Sequence, residues 1–247
     1  MPLIIDIGNS RVKYFWQKNV FLSAAALMEE FISLDMTGDL AVTLISSVPD
    51  KNNLVLAELE GLVAEISPEL SLNIEVFDPG DSQIQNLYPE IGADRVAKLQ
   101  SAINLQPGQS VAVFDFGTAT TMTSARYEDG VSVLDQGFIA LGLYASLESI
   151  SEKCSELPNL LEQFKTLIEG LEEDITADEL LAKLDYKSET EKAIFAGTLK
   201  AHQALIREWQ KTLIGDFYVY GLGDLAKIFA AEFDEIISDA ELMNALT

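Results

Sequence analysis

Residues 114–121 read Phe-Asp-Phe-Gly-Thr-Ala-Thr-Thr, and residues 5–8 read Ile-Asp-Ile-Gly. In both places an apolar run suited to a buried strand, 3–7 or 110–116, ends in Asp-x-Gly, so a turn follows a core strand twice. The same order of elements extends outward from each. After the first turn the pattern predicts strands over 12–16 and 20–22, a helix over 24–34, and a strand over 40–48 stopped by Pro49. An amphipathic helix over 54–66 and a strand over 72–77 complete the series. Residues 78–92 read as loop and 94–105 as helix. After Pro107-Gly108 the order restarts, with strands over 110–116, 118–127 and 131–139. Helices over 143–153, 160–169, 177–184 and 189–213 follow, then a strand over 217–220, a helix over 224–232 and a strand over 235–238. The expected architecture is therefore α/β with two similar domains, 1–107 and 108–247. No low-complexity linker separates them, so close packing is expected.

The chain has 247 residues, enough for one large domain or two modest ones, with 48% hydrophobic and 23% charged residues, which is ordinary for a folded protein. Its apolar runs are strand-sized, and the first residues carry no basic region ahead of a long apolar run. Neither a membrane span nor a signal peptide is expected, and the cytoplasm is the expected location. The net charge of -24 repels nucleic-acid backbones and anionic lipid, so neither is an expected partner. The single cysteine, Cys154, can form no internal disulfide and reads as a small semi-buried apolar residue. The single histidine, His202, lies in a helical pattern with no second histidine or cysteine beside it, which disfavours most zinc sites and a Ser-His-Asp triad.

A carboxylate at a strand end is fixed in direction by the sheet behind it. At the first turn, Gly8 permits backbone angles that other residues resist. The N–H groups of Gly8, Asn9 and Ser10 can then point into one concavity and take phosphate oxygens. Asp6 could hold magnesium through oxygen, and Arg11 or Lys13 could add positive charge. Asp, Gly, Asn and Ser are also the common turn residues, so a plain hairpin accounts for the segment as well. The second turn could wrap a phosphate or coordinate a monovalent cation through Asp115 and carbonyl oxygens. Strand alternation would put Thr118 and Thr120 on one face, although threonine is also simply a good strand former. Two such turns, one per half, predict a cleft in which ATP phosphates are gripped from both sides. Asp94 opens the helix after Gly92 and reads either as its N-cap or as a base for an attacking hydroxyl, with Arg95 holding an anionic group.

Taken together, IDIGNS (5–10), IGADRVA (91–97) and FDFGTATTM (114–122) resemble the type III pantothenate kinases in content, order and spacing. QGFIALGLYASLESI (136–150), the following CSELPNL and TEKAIFAGTL (190–199) extend the similarity across most of the chain. The resemblance implies an actin-like fold of two ribonuclease H-like domains with mixed sheets, and ATP-dependent phosphorylation of pantothenate. It implies Mg2+ with ATP and a monovalent cation, K+ or NH4+. By that similarity Asp6 serves magnesium and the phosphates, with Gly8, Asn9, Ser10, Gly117 and Thr118 around them. Asp94 is the general base, and Asp115 holds the monovalent cation. Tyr88, Gly92 and Arg95 line the pantothenate side, and Thr190 reaches it from the partner subunit of a homodimer. The chain departs from the family pattern at Gln136, at Leu141 and over residues 220–224. The competing expectations are a superfamily kinase with another hydroxyl acceptor and a non-catalytic ATP-binding regulator.

Overall fold

The computed structural model describes residues 2–8, 10–17, 19–170 and 175–246. The chain divides into two compact units, residues 1–107 with 239–247, and residues 108–238.

In the first unit β1 (Leu3–Ile7) is the middle strand. It pairs antiparallel with β2 (Val12–Trp16), which pairs with β3 (Asn19–Phe21). On its other side it pairs parallel with β4 (Gly38–Ser46), followed by β5 (Leu70–Val76), giving the order β3-β2-β1-β4-β5. Every residue of β1 is buried, as a strand covered on both faces must be. Alternation divides its side chains. Leu3, Ile5 and Ile7 pack on one face with Leu27, Met28 and Phe31 of α1 (Ala24–Ser33) and Val55, Leu59 and Val63 of α2 (Asn52–Ile66). Ile4 packs on the other with Phe15, Ile45 and Ala97 of α3 (Ala93–Leu105). Asp6, two residues on from Ile4, therefore belongs to the α3 face. A two-residue strand, β6 (Ile84–Gln85), lies within the stretch expected to be loop.

The second unit repeats this plan. The middle strand β7 (Ser110–Phe116) pairs antiparallel with β8 (Ala119–Glu128), which pairs with β9 (Val131–Leu141). On its other side it pairs parallel with β10 (Phe217–Leu222), which pairs with β11 (Glu235–Ile237). Ala112, Phe114 and Phe116 point to a core filled from α4 (Leu143–Lys153), α5 (Leu161–Glu169), α6 (Ala177–Lys183) and α7 (Glu189–Gln210). Asp115 alternates to the opposite face, as Asp6 does in the first unit. Two mixed sheets of matching strand order thus each carry an Asp-x-Gly turn at the same place.

Some expectations change. The last residues do not belong to the second unit: α8 (Asp239–Met243) buries Ala240 and Met243 against Ile4 and Phe15, and Asp239 pairs with Lys13. Residues 224–232 form two short 3-10 turns rather than an α-helix. Leu225, Ala226, Ile228 and Phe229 are all buried there. Cys154, at the C-cap of α4, is exposed rather than semi-buried. No helix of the described residues is long and apolar enough to cross a membrane.

Candidate active site

At the first turn the register runs Asp6 opposite Lys13 and Ile7 opposite Val12, leaving four residues between the strands. The Gly8 N–H donates to the Arg11 carbonyl at 2.9 Å and closes the loop. Two side chains from the segment after β4 brace it. Ser47 donates both its N–H, at 3.2 Å, and its hydroxyl, at 3.3 Å, to the Ile7 carbonyl, and Lys51 Nζ donates to the Gly8 carbonyl at 3.4 Å. A carbonyl has two lone pairs, so Ile7 can accept both bonds. Asp6 is buried at 8% exposure and Ser10 is exposed. Asn9 lies outside the described residues. Of the two cations expected here, Arg11 is exposed and Lys13 is ion-paired with Asp239.

Asp94 stands in the first turn of α3, where a carboxylate is favoured by the helix dipole. It is not the N-cap. Gly92 is, and its carbonyl accepts the N–H of Arg95 at 3.1 Å and of Val96 at 3.2 Å. A methyl on Gly92 would lie 2.5 Å from Asp94 Oδ1, so the glycine makes room for the carboxylate. Arg95 is 8% exposed, and its Nη1 donates to the Tyr88 hydroxyl at 3.0 Å. Tyr88, half out in solvent at 39% exposure, is brought beside Arg95 by the turn in which the Ile91 N–H bonds the Tyr88 carbonyl. Within the first unit the structure therefore unites Gly92 with Asp94 and Arg95 with Tyr88, and sets Asp6 on the sheet face that α3 covers.

The second turn is one residue shorter. Phe116 pairs with Thr120 and Asp115 with Thr121, and the Gly117 N–H donates to the Ala119 carbonyl at 3.1 Å. Thr118 falls inside the turn and is exposed, while Thr120 is wholly buried, so the two do not share a strand face as alternation predicted. The Thr120 Oγ has no hydrogen-bond partner among the described residues. Backbone braces this turn. The Gly142 N–H donates to the Thr118 carbonyl at 3.0 Å, and a methyl on Gly142 would lie 2.3 Å from the Gly117 oxygen. Neighbouring Leu141 offers its carbonyl to His202 Nε2 at 3.2 Å, and His202 Nδ1 lies 3.0 Å from the Thr198 carbonyl. The histidine thus ties α7 to the segment that holds the turn. Thr190 is exposed at the second position of α7.

The departures from the family pattern acquire physical explanations. Gln136 Nε2 donates to the Thr212 carbonyl at 2.8 Å, fastening β9 to the residues after α7. Gly221 lies against the Phe233 ring, which a methyl would meet at 2.4 Å, and Gly223 has φ +83. Sequence reasoning missed Lys51, Ser47 and the bracing by Gly142. The only signal for Lys51 was its position just past the Pro49 that stops β4.

Two mixed sheets, each with a carboxylate at the end of its middle strand, give the chain an actin-like fold. The fold matches a solved structure described as a 2-dehydro-3-deoxygalactonokinase of Sinorhizobium meliloti, with TM-score 0.50 and 11% identity over 100% of this chain and 96% of that one. It also matches one described as a Baf family transcriptional activator of Campylobacter jejuni, with TM-score 0.58 and 18% identity over 99% and 94%. At these identities the likeness shows the fold alone. Sequence goes further: the model of the type III pantothenate kinase family matches residues 2–211, and the chain belongs to that family. Type III pantothenate kinases of Fusobacterium nucleatum subsp. nucleatum and Paraburkholderia xenovorans are 28% and 26% identical, covering 96% and 88% of this chain and 92% and 80% of theirs. The chain is a kinase that phosphorylates pantothenate, in coenzyme A biosynthesis.

Proposed function

We propose that the chain transfers the γ-phosphoryl group of ATP to the pantothenate hydroxyl, with Asp94 as the general base. The observation that carries the assignment is the opening of α3. A carboxylate stands free of the capping role over a glycine that makes room for it, and the next residue is a buried arginine. Phosphoryl transfer needs little more than a placed base and neutralisation of charge. Arg95, held by Tyr88, presents a planar fork suited to the pantothenate carboxylate, and Gly92 keeps that side of the site open.

Asp6, Gly8, Asn9 and Ser10 receive the phosphates from the first turn, and Gly117 and Thr118 from the second. Both turns offer hard oxygen donors at fixed strand ends, which fits Mg2+ at Asp6 and K+ or NH4+ at Asp115. Bound there, such cations supply neutralisation of phosphate charge. The exposure of Thr190 at the start of α7 supports a role in the partner subunit's site within a cytoplasmic homodimer. Purified protein given ATP, magnesium, potassium and pantothenate is expected to yield pantothenate heavier by one phosphate by mass spectrometry. Consumption of ATP with pantothenate unchanged would point instead to another hydroxyl acceptor.

A further inference from the structure

We infer that His202 is a positioning residue for the second turn, gripping the oxygen of the peptide whose N–H holds Thr118 in place. The inference rests on the reading that Gly117 and Thr118 receive ATP phosphates. His202 lies in the buried stripe of α7 with Phe195, Thr198, Leu199 and Ile206, and is 6% exposed. Apolar side chains fill such a stripe readily, whereas a buried imidazole costs free energy unless it is hydrogen-bonded. Both ring nitrogens face carbonyl oxygens, Nδ1 that of Thr198 at 3.0 Å and Nε2 that of Leu141 at 3.2 Å. A neutral ring has one N–H to give. The Thr198 carbonyl already accepts the helical bond of α7 from the backbone N–H of His202, four residues on. The Leu141 carbonyl has no donor on β8. The Gly142 N–H bonds the Thr118 carbonyl, which makes Ala119 and Leu141 a pair that exchanges no hydrogen bonds across the ladder. The network therefore assigns the ring hydrogen to Nε2, donated to Leu141.

What that bond holds follows from covalent geometry. The Leu141 carbonyl and the Gly142 N–H belong to one planar trans peptide and point to opposite sides of it. His202 takes the oxygen of this peptide, and the Thr118 carbonyl takes its hydrogen at 3.0 Å. Hydrogen bonds in series through one peptide polarise each other, so each strengthens the other. A methyl on Gly142 would lie 2.3 Å from the Gly117 oxygen, so a tilt of the peptide is felt by both residues of the turn. His202 acts through this peptide and not on the nucleotide.

The test asks which ring nitrogen matters and whether the effect reaches the nucleotide. His202→Gln offers an amide N–H about as far out as Nε2, His202→Asn only about as far as Nδ1, and His202→Phe keeps a ring without any N–H. The Phe and Asn variants are expected to lower kcat/KM for ATP about three- to tenfold, the factor that corresponds to one net hydrogen bond. His202→Gln should stay near wild type, and KM for pantothenate should stay unchanged in all three. Direct titration of the Phe and Asn variants should show weaker binding of ATP but not of adenosine, a difference that looser packing of α7 alone would not produce. Unchanged ATP kinetics in His202→Phe, or Gln and Asn variants that behave alike, would reduce the histidine to core packing and overturn the inference. Thermal melting identifies a variant that has failed to fold, and the comparison of Gln with Asn stands without the Phe variant. Wild-type protein that binds ATP no more tightly than adenosine would instead sink the reading of the turn as a phosphate site, whatever the variants do.

Discussion

The two Asp-x-Gly turns begin alike and are held differently. Each follows the middle strand of a mixed sheet, and each puts its aspartate on the face opposite the core formed by the flanking apolar residues. The first spans four residues and is braced by the backbone N–H of Ser47 together with two side chains, Ser47 and Lys51. The second spans three and is braced by backbone, the N–H of Gly142 and its close approach to Gly117. The close backbone approach of Gly142 has no counterpart of equal tightness at the first turn, so the second turn should be the more rigid. The glycine it can least lose lies outside its own motif.

The largest effect tests a feature present only in the first unit, the carboxylate proposed as base at the opening of α3. Asp94→Asn is expected to lower kcat by about 10²- to 10⁴-fold, the usual contribution of a general base, while calorimetric titration still shows ATP binding. Full turnover in that variant would remove the base and leave two phosphate turns without an acceptor side. Next comes Gly92→Ala. The added methyl meets the end of a flexible carboxylate, so the fold should hold while Asp94 is displaced and kcat falls by up to about 10²-fold. Unchanged kinetics would show that Asp94 works from another rotamer.

Gly142→Ala breaks the comparison most directly. Its methyl would meet backbone at 2.3 and 2.6 Å, and a loss of about 1–3 kcal/mol by denaturant unfolding is expected. Gly8→Ala meets the Arg11 carbonyl only at 3.3 Å and should lose less than about 1 kcal/mol. Equal losses would mean the turns are equally rigid after all. The smallest expected effect is chemical: replacing potassium by sodium should lower turnover through the Asp115 turn and leave thermal melting unchanged. Indifference to the cation would withdraw that role from Asp115.

The framework was legible because buried middle strands leave a strong pattern. Leu3 to Ile7 and Val111 to Phe116 are unbroken apolar runs apart from one aspartate each, whereas the runs before the other two Asp-x-Gly sequences, 78–80 and 135–137, are broken by polar residues. Asp94 and Arg95 were legible as a pair, but not the fact that Gly92, rather than Asp94, caps the helix. That depends on where helical dihedrals begin, which sequence marks only loosely. Thr118 was misplaced because alternation was carried one residue past the end of the ladder, into the turn. Lys51 and Gly142 stayed hidden because their partners are carbonyls, which every residue possesses. No side-chain pattern reports which carbonyl a distant donor will find.

Residues 239–246 cover Ile4 and Phe15 only after the whole of the second unit lies between them and the rest of the first. During synthesis the first unit therefore emerges with one sheet face unfinished, although domains ordinarily complete themselves in order from the ribosome. Its last turn of helix arrives after some hundred and thirty intervening residues, 108–238, have been made. The second unit, contiguous in sequence, needs no later residue to close, and a chain ended after residue 238 would hold a complete second half and an incomplete first.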